Sequence, residues 1–364
     1  LLYFASGYLN APAAMLTASH NPAAYNGMKL CQSSAKAIGA DTGLDQIQHL
    51  ATQPATSTTQ RGSVHHMDLL DKFVQHVHSF VDISALKPLK VVADTANGMG
   101  GLVVPATFNA LPFELEILYE DLDGTFPNHP ADPLQTENLA DLQRRVLETG
   151  ADIGLAFDGD ADRVFLVDER AVPISGSITT ALVAQAILER EGPGPILHNL
   201  ICSKATVEAI REGGGDPLRT RVGHSYIKAL MADTGAMFGG EHSGHYYFAR
   251  NYGADSGLIA AMIVLERLSQ SEGPLSSMCR PFQRYSQSGE INVDVDDTAT
   301  AIQNIANAFT DQQQDRLDGL TVDCGDWWFN VRPSNTEPLL RLNVEGPDVT
   351  EVAKRVDQIL DLIH

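Results

Sequence analysis

The sequence predicts a multidomain α/β protein that ends in a smaller α+β domain. Apolar runs followed by Gly- or Asp-rich turns and then by amphipathic stretches recur along most of the chain, an order typical of α/β units with mainly parallel sheets. The last part of the chain instead shows strands of alternating polarity and one amphipathic helix. The chain has 364 residues, which suggests about two to four domains at roughly 100–200 residues per domain.

The predicted elements follow one another along the chain. Residues 89–93 form an apolar strand, and the Gly-rich turn after it opens a helix. Residues 151–157 form a strand that pairs as a hairpin with a strand at residues 164–167. Residues 195–201 form a further strand, and residues 204–211 carry a helical pattern. This alternation of strand and helix is the basis of the α/β prediction.

The C-terminal stretch has a different pattern. Residues 290–295 and 326–331 alternate like half-buried strands, and residues 339–344 follow as a third strand. The final helix has its apolar residues on one face, namely Val352, Val356, Ile359, Leu360 and Ile363. This mixture predicts a separate α+β domain.

Changes in composition mark the expected boundaries between domains. The stretch at residues 51–63 is rich in Thr, Gln and Ser, which is typical of a linker or an exposed loop. Weaker boundaries lie near Pro173 and at residues 281–288.

Composition and charge exclude several classes of protein. The chain has 46 acidic and 25 basic side chains and a formal charge of −21, which argues against nucleic acid or an anionic membrane as a partner. No apolar run reaches the roughly 20 residues of a membrane helix, and 43 % hydrophobic residues exclude global disorder. The sequence starts without a signal-peptide pattern and without Met, which is compatible with a fragment. The four cysteines form no C-x-x-C pair and are expected to be reduced, buried thiols.

The first of four loops that could carry chemistry is Thr-Ala-Ser-His-Asn-Pro at residues 17–22. Ser19 is flanked by small residues and stands beside His20, and the following Asn-Pro keeps the segment in a loop. Lys29 lies close behind and could neutralise a phosphate carried on Ser19. An ordinary turn rich in Ser, Asn and Pro is the alternative.

The second loop is acidic and directly follows a predicted strand. Asp158, Asp160 and Asp162 stand at alternate positions, where like charges raise one another's pKa unless a hard cation such as Mg²⁺ or Ca²⁺ relieves the repulsion. An EF-hand is disfavoured because Arg163 stands where that loop requires Gly, and because a strand precedes the loop instead of a helix. An Asp-x-Asp phosphatase nucleophile and a solvated acidic turn remain as alternatives.

The third loop is Gly-Gly-Glu-His-Ser-Gly-His at residues 239–245. The Glu241 carboxylate can accept hydrogen bonds from two vicinal sugar hydroxyls, and Ser243 or His245 can complete the network. The loop therefore suits a polyhydroxylated ligand. Zinc binding by Glu241, His242 and His245 is an alternative, although the spacing matches no standard helical motif. A surface loop without a chemical role is the other.

The fourth loop is Arg-Pro-Ser-Asn-Thr-Glu-Pro at residues 332–338. It offers a guanidinium group, hydroxyls and backbone N–H groups, which together suit a phosphate. Its polar candidates are Arg332, Ser334, Asn335 and Thr336. A solvent-exposed turn is the alternative.

A weaker anion-binding signal lies between the second and fourth loops. Residues 221–225, which include Gly223 and His224, lead into an amphipathic helix. The backbone amides at the start of that helix could face an anion.

In this order the segments TASHNP, DGDADR, GEHSGH and RPSNTEP resemble the α-D-phosphohexomutases, most closely their bacterial phosphomannomutase/phosphoglucomutase branch. The resemblance covers the whole chain. It implies four domains with one active-site loop each, three of them related mixed α/β domains and the fourth a distinct C-terminal α+β domain. The expected domains span residues 1–62, 63–170, 171–283 and 284–364.

The resemblance also implies roles for the motif residues. Ser19 matches the phosphoserine, which donates a phosphoryl group to a hexose phosphate and later takes one back. The expected Mg²⁺ ligands are Asp158, Asp160, Asp162 and an oxygen on Ser19. The expected catalytic residues are Ser19, His20, Lys29 and His245. The expected substrate-binding residues are Arg163, Gly223, His224, Glu241, Ser243, Arg332, Ser334, Asn335 and Thr336.

The function implied by the resemblance is the interconversion of hexose 6-phosphate and hexose 1-phosphate, with mannose as the first candidate sugar. Mg²⁺ is the implied cofactor and a hexose 1,6-bisphosphate the implied activator. Phosphoglucomutase or phosphoglucosamine mutase activity, or an inactive relative that only binds sugar phosphates, are the alternatives. We expect a cytoplasmic monomer or homodimer that binds small hexose phosphates and neither nucleic acid nor membranes.

Two departures from the family pattern accompany the resemblance. Family members carry a further segment before the phosphoserine motif, whose Gly-Thr-x-Gly-x-Arg-Gly loop lends an Arg to the site, so the chain is expected to be N-terminally truncated. Ile201 stands roughly where some relatives have a Lys that contacts phosphate.

Overall fold

Four sheets follow one another along the chain in the computed structural model, which describes residues 1–39, 42–54, 62–334 and 339–363. The first sheet has two strands, the next two have five strands each, and the last has six. The predicted fold class is confirmed, because mixed α/β sheets are followed by an antiparallel sheet with helices.

The first sheet is a hairpin flanked by two short helices. β1 and β2 are antiparallel, with Ala13 opposite Cys31 and Leu16 opposite Met28, so the residues between them form one long turn. In chain order the elements are α1 (Leu2–Leu9), β1 (Ala13–Leu16), β2 (Met28–Cys31) and α2 (Leu44–Ala51).

The second sheet combines parallel and antiparallel strands. Its strand order is β4-β3-β5-β6-β7, in which β3 is parallel to β4 and β5, whereas β5, β6 and β7 are antiparallel neighbours. The elements are α3 (Leu70–His78), β3 (Leu89–Asp94), α4 (Gly100–Phe108), β4 (Phe113–Leu118), α5 (Ala140–Thr149), β5 (Ile153–Phe157), β6 (Val164–Asp168) and β7 (Pro173–Ile174). The predicted hairpin of β5 with β6 is confirmed.

The third sheet repeats this plan. Its order is β12-β11-β10-β8-β9, with β8 parallel to β9 and β10 and with β10, β11 and β12 antiparallel. The elements are α6 (Gly176–Glu191), β8 (Pro195–Asn199), α7 (Lys204–Glu212), β9 (Asp216–Thr220), α8 (His224–Thr234), β10 (Phe238–Gly240), β11 (Tyr246–Phe248), β12 (Ala254–Asp255), α9 (Gly257–Gln270) and α10 (Leu275–Cys279).

The fourth sheet is antiparallel throughout. β18 lies beside β13, β14 and β17, and the sheet continues through β16 to β15. The elements are β13 (Ser286–Gln287), β14 (Ile291–Asp294), α11 (Thr298–Ala308), β15 (Gln313–Asp315), β16 (Leu320–Asp323), β17 (Trp328–Pro333), β18 (Leu339–Gly346) and α12 (Val349–Ile363). Helix α12 packs its predicted apolar face on this sheet, as the sequence pattern indicated.

The largest hydrophobic core joins the second and third sheets. α6 contacts strands of both sheets, β6 and β10, and α9 packs against β6, α3 and α6. α9 is buried along most of its length, because its residues from Gly257 to Leu265 are apolar on every face. The fourth sheet has a separate core that it shares with α11 and α12, so it forms a structural unit of its own.

The described structure tests the prediction that the four cysteines are buried. The thiols of Cys31, Cys202 and Cys279 are buried and that of Cys324 is half-buried, so the burial prediction holds for three of the four. All four are free thiols. In the described ranges no helix combines the length and the apolarity that a bilayer span requires.

Candidate active site

Each of the four motifs follows the first strand of an antiparallel hairpin. The first motif lies between β1 and β2, the second between β5 and β6, the third between β10 and β11, and the fourth between β17 and β18. A hairpin turn projects from the end of its sheet, so side chains from distant parts of the chain can meet there. The structure brings the first three motifs into direct contact.

The first contact joins the Ser19 loop to the acidic loop. The Ser19 hydroxyl donates a hydrogen bond to Asp158 Oδ2 (3.0 Å), and the Thr17 hydroxyl donates to Asp160 Oδ2 (3.1 Å). Ser19 has a positive φ of 53°, a conformation rare for a residue with a Cβ. Its backbone N–H donates to Thr17 Oγ1 (2.8 Å), which supports this conformation. Ser19 Oγ also lies 3.3 Å from His20 Nδ1.

Gly159 allows the two loops to approach this closely. A Cβ at this position would lie 2.3 Å from the Ser19 carbonyl oxygen, so any larger residue would force the loops apart. From the other side, the Met99 N–H donates to the Gly159 carbonyl (2.9 Å), and a Cβ on Gly98 would lie 2.6 Å from the same oxygen. The turn after β3 therefore supports the acidic loop from behind.

The three aspartates form a cluster that fits a hard divalent cation. One carboxylate oxygen from each of Asp158, Asp160 and Asp162 lies within 4.8 Å of the others. Burial, followed by the charge of Asp162, raises the pKa of Asp158 to about 6. The Oδ1 atoms of Asp160 and Asp162 are buried and accept no hydrogen bond from the described residues. Two buried carboxylate oxygens that lack a donor, next to a third carboxylate, fit the oxygen ligands that Mg²⁺ or Ca²⁺ prefers.

Two cations of the chain compensate part of this negative charge. Lys29 on β2 lies 2.7 Å from Asp160 Oδ2 and also pairs with Asp162. Burial opposes its charge, but attraction from Asp162 and Asp160 outweighs burial and raises the pKa of Lys29. Arg163 is buried, donates from Nε to Asp158 Oδ2 (2.9 Å), and lies 3.7 Å from Asp132 Oδ1. The guanidinium predicted to bind substrate is thus directed at the acidic loop.

The third loop is joined to the acidic loop through backbone and side chain. Arg163 and His245 form an isolated antiparallel bridge, and the Val164 N–H donates to the Gly244 carbonyl (3.3 Å). His245 Nδ1 lies 3.1 Å from Ser243 Oγ, and its Nε2 lies 3.6 Å from Asp162 Oδ1. The imidazole therefore stands between the predicted sugar loop and the predicted metal loop.

Glu241 is held rigidly at the base of the third loop. Its carboxylate is buried and accepts hydrogen bonds from the Gly223 N–H (3.2 Å) and the Tyr247 hydroxyl (2.9 Å). Asn199 Nδ2 lies 3.4 Å from the same carboxylate and 2.9 Å from His242 Nδ1. Burial, followed by the charge of Arg332, lowers the pKa of His242 to about 3. Glu241, His242 and His245 do not share a ligand cluster in the described structure, so the zinc alternative gains no support.

The weaker anion-binding signal also lies at the site. Gly223, with a φ of 126°, is the residue before α8, and His224 is the first residue of that helix. Burial lowers the pKa of His224, which favours a neutral ring that can donate or accept a hydrogen bond. The Val222 N–H donates to Asp318 Oδ2 (3.1 Å), so this segment also touches the fourth domain.

The fourth loop lies partly outside the described residues. Arg332 is at the end of β17, buried, and donates from Nη2 to Glu290 Oε2 (2.8 Å). The Ser334 N–H donates to the Leu339 carbonyl (2.9 Å), which closes the described part of the hairpin. Asn335 and Thr336 lie outside the described residues.

A cavity of about 320 Å³ separates the fourth domain from the second and third. It is lined by His242 from the third loop, by Ile201 after β8, and by Glu290, the partner of Arg332. Asn343 also lines it, and its Nδ2 is buried without a partner among the described residues. The cavity is therefore polar on the side of the fourth domain and adjoins the third and fourth loops.

Several residues at the site have no recognisable signal in the sequence. Asn199 and Tyr247 lie on strands, and Asp132 lies in the long loop after β4, so only the fold brings them to the motifs. Lys228 and Asp255 form a buried ion pair near His245. Thr17 is an exception, because it belongs to the first motif and its hydroxyl stands two residues before Ser19, so the sequence could have identified it as a candidate site residue.

Four known protein families match successive segments of the chain. Residues 1–57, 71–171 and 175–285 match the families described as phosphoglucomutase/phosphomannomutase, alpha/beta/alpha domains I, II and III. Residues 290–362 match the family described as phosphoglucomutase/phosphomannomutase, C-terminal domain.

Individual proteins are similar over the whole chain. A protein named phosphohexose mutases from Xanthomonas campestris pv. campestris (strain B100) is 40 % identical over 369 residues, covering all of this chain and 82 % of that protein. A phosphomannomutase from Escherichia coli (strain K12) is 38 % identical over 376 residues, with the same coverage. The crystal structure of a phosphoglucomutase/phosphomannomutase family protein from Burkholderia thailandensis superposes with a TM-score of 0.85 at 32 % identity, covering 97 % of this chain and 76 % of that one. The chain therefore belongs to the phosphoglucomutase/phosphomannomutase family.

Proposed function

We propose that this phosphohexomutase interconverts mannose 6-phosphate and mannose 1-phosphate through a phosphoserine at Ser19 and a hexose 1,6-bisphosphate. The observation that carries the proposal is the position of the Ser19 hydroxyl, which donates to Asp158 within the acidic cluster. Lys29 is held beside the same cluster by Asp160 and Asp162. A hydroxyl next to a cation site and a fixed ammonium is suited to carrying a phosphoryl group.

The metal ion in this proposal is Mg²⁺, held by Asp158, Asp160 and Asp162 together with an oxygen on Ser19. When bound, such an ion neutralises charge on the transferring phosphoryl oxygens. Lys29 adds a second positive charge, since its raised pKa keeps the ammonium protonated at neutral pH. The phosphoryl group would thus meet positive charge although the chain as a whole carries −21.

Two imidazoles transfer the protons in this proposal, His245 at the sugar hydroxyl and His20 at the serine oxygen. In the first half-reaction the P–Oγ bond of phosphoserine 19 breaks, a P–O bond forms to the sugar hydroxyl, and the hydroxyl proton passes to His245. His20 enters this half-reaction as the imidazolium and gives its proton from Nδ1, 3.3 Å from Ser19 Oγ, to the released serine oxygen. After the bisphosphate has turned end for end, the same transfers run in reverse and the proton count balances.

The sugar and its second phosphate are assigned to the remaining loops. Oε1 of the Glu241 carboxylate accepts from both Gly223 and Asn199, whereas Oε2 accepts only from Tyr247 among the described residues and can also accept a sugar hydroxyl, with Ser243 beside it. Arg332 would hold the non-transferring phosphate together with Ser334, Asn335 and Thr336. His224 at the start of α8 could complete that phosphate contact, and Gly223, whose N–H is donated to Glu241, would position the start of the helix.

The test is a coupled assay with mannose 1-phosphate and glucose 1-phosphate, with Mg²⁺ and a hexose bisphosphate present. We expect turnover of both sugars, with kcat/KM higher for mannose 1-phosphate. Turnover of glucosamine phosphates alone would reject the proposed substrate. No turnover with any of the sugars, together with retained sugar-phosphate binding, would support an inactive relative instead.

The chemistry of the phosphoenzyme tests the carrier. Phosphate on Ser19 is an ester that withstands acid and hydroxylamine, whereas an aspartyl phosphate is an acyl phosphate that hydroxylamine cleaves. Release of the bound phosphate by hydroxylamine would therefore assign the transfer to an aspartate of the acidic loop.

A further inference from the structure

A buried ion pair near the site has no role in the mechanism above. Lys228 lies on α8 and Asp255 on β12, and Lys228 Nζ lies 3.7 Å from Asp255 Oδ1. Their side chains are only 8 % and 4 % exposed. Neither of these two atoms has a hydrogen-bond partner among the described residues. Burying two charges costs desolvation energy that attraction alone returns incompletely, so stability is a weak explanation for the pair.

Asp255 faces the candidate active site. One of its carboxylate oxygens, one oxygen of Asp162 and one ring nitrogen of His245 lie within 4.8 Å of one another. β12 pairs with β11, which begins at the residue after His245, and Tyr247 stands opposite Asp255 in the register. Asp255 and His245 are therefore fixed relative to each other by the sheet and not by a flexible loop.

Lys228 connects this carboxylate to a second part of the site. It lies one helical turn after His224, so the two side chains share a face of α8. The residue before that helix, Gly223, donates its N–H to Glu241. The ion pair therefore connects α8 to β12, the strand beside the hairpin that carries the third loop.

The ligand chemistry of Asp162, His245 and Asp255 would also suit a second metal ion. Two lysines of the chain already supply positive charge there, Lys228 at Asp255 and Lys29 at Asp162. Burial opposes ionisation of Asp255, but attraction from Lys228 and His245 outweighs burial and lowers the pKa of that carboxyl. A second divalent ion would have to displace these ammonium groups, so a positioning role fits the cluster better.

We infer that Asp255 is a positioning residue whose buried carboxylate, within 4.8 Å of the His245 ring, attracts the imidazole and favours its place between Ser243 and Asp162, and that Lys228 is its buried countercharge. The inference rests on the proposed function, in which His245 takes a proton from the sugar hydroxyl. Asp255 itself touches no reacting atom. Its effect is to keep the ring at one orientation during both half-reactions.

Three variants separate positioning from a merely structural role. Asp255→Asn and Lys228→Met each leave one buried group without its charge partner and should lower the melting temperature. The double variant removes both charges and should recover much of that loss. We expect kcat to fall roughly 10- to 100-fold in Asp255→Asn and to stay low in the double variant, with KM changed less than about threefold. Recovery of kcat together with the melting temperature would overturn the inference.

The matched control is an exposed ion pair between the neighbouring strands β3 and β4. Lys90 Nζ lies 3.6 Å from Glu114 Oε1, and the two side chains are 47 % and 75 % exposed. Lys90→Met, Glu114→Gln and their double variant should leave kcat and KM unchanged, because they alter an ion pair without reaching the site.

A spectroscopic measurement keeps the inference testable apart from activity. With ¹⁵N-labelled histidine, the ring signals of His245, assigned by their loss in His245→Gln, should move in Asp255→Asn. The signals of His198, which lies on β8, three strands away from β12 in the same sheet, should not move. An inactive wild-type enzyme would reject the proposed function, but the shift of the His245 signals could still be measured. If those signals do not move in Asp255→Asn, the inference is rejected even in an active enzyme.

Discussion

The Ser19 hydroxyl lies 3.0 Å from Asp158 Oδ2, although the two residues are 139 positions apart in the chain. The contact arises because the turn after β1 and the turn after β5 meet with no side chain between them, at Gly159. The hydroxyl and the acidic cluster are therefore one unit, assembled by two separate sheets. A change in either loop should disturb the other.

Ser19→Ala removes the proposed phosphoryl carrier while leaving the backbone free to keep its fold. We expect kcat to fall at least about 10³-fold, because no other group can accept the phosphoryl group at that point. The measurement is the coupled mutase assay, with circular dichroism to confirm the fold. Ser63→Ala, at an exposed hydroxyl bonded only to His65 among the described residues, should retain full activity. An active Ser19→Ala enzyme would falsify the phosphoserine scheme.

Gly159→Ala tests the close approach of the first two loops. The added methyl group would lie 2.3 Å from the Ser19 carbonyl oxygen, so the loops must separate. We expect a loss of activity of roughly 100-fold, since misplacing a reacting group by about 1 Å has that effect. Gly124→Ala is the matched control, because a Cβ there meets nothing within 4 Å. Equal activity of the two variants would show that the first two loops can separate without a loss of activity.

The sequence predicted most of the fold, whereas the roles of the motif residues stay predictions and the residues that support the motif loops were not predicted. The strands around residues 89–94, 153–157 and 164–168 were predictable because they are short apolar runs bounded by Gly or Asp. The motif loops were recognisable because unusual residue types are concentrated in them. Asp255 and Lys228 were not, because a single Asp on a strand or Lys on a helix resembles any surface charge until the fold buries it.

The direction of the Arg163 side chain was equally beyond the sequence. As part of the acidic motif it was expected to bind substrate, and its role toward substrate stays a prediction. In the structure its guanidinium lies within the protein against Asp158 and Asp132. Asp132 comes from the loop after β4, whose path depends on packing against the rest of the second domain. Such contacts follow from tertiary structure and have no local pattern.

Divalent cations should bind at the acidic cluster and stabilise the chain. Binding relieves the repulsion among Asp158, Asp160 and Asp162, so Mg²⁺ should raise the melting temperature and chelation should abolish activity. Since the pKa of Asp158 is raised to about 6, protons compete with the metal below that pH. The Mg²⁺-induced rise should therefore be smaller at about pH 5.5 than at about pH 7.5. Asp160→Asn should reduce the rise at both pH values, and an unchanged rise would place the metal elsewhere.

The pair of His129 and Asp94 should make stability depend on pH. His129 Nε2 lies 3.0 Å from Asp94 Oδ2, which ties the loop after β4 to the end of β3. Burial opposes the charged imidazole, but the hydrogen bond and charge of Asp94 outweigh burial and raise the pKa of His129 above its model-compound value of 6.5. A raised pKa in the folded state gives stability that is fully present below the unfolded pKa and is lost as pH rises through the folded pKa.

His129→Gln should therefore lower the melting temperature more at about pH 5.5 than at about pH 8.5. Thermal melts of both proteins across that range measure the difference. His65→Gln, at an exposed ring, serves as the control and should give no pH-dependent difference. If His129→Gln lowers the melting temperature by the same amount at every pH, the ring contributes by packing and not by its charge.

Glu345 should control how the fourth domain is held against the third. Its buried carboxylate accepts hydrogen bonds from the Trp328 indole (2.8 Å), from Gln287 Nε2 (3.0 Å) and from the Lys204 N–H at the start of α7 (2.9 Å). The first two donors belong to the fourth sheet and the third to a helix of the third domain. A single side chain thus joins the two domains beside the cavity that separates them.

Glu345→Gln replaces one acceptor oxygen with an NH₂ group that faces donors. At least one of the three hydrogen bonds must be lost, which should cost about 1–3 kcal/mol of stability. In the proposed function, closure of the fourth domain brings Arg332 to the substrate phosphate. A weaker contact between the third and fourth domains should then reduce substrate binding more than it slows the chemical step, so KM should rise more than kcat falls. Glu114→Gln, at an exposed carboxylate on β4, is the control. A Glu345→Gln enzyme that is destabilised but has an unchanged KM would show that this carboxylate stabilises the interface without setting the position of the fourth domain for binding.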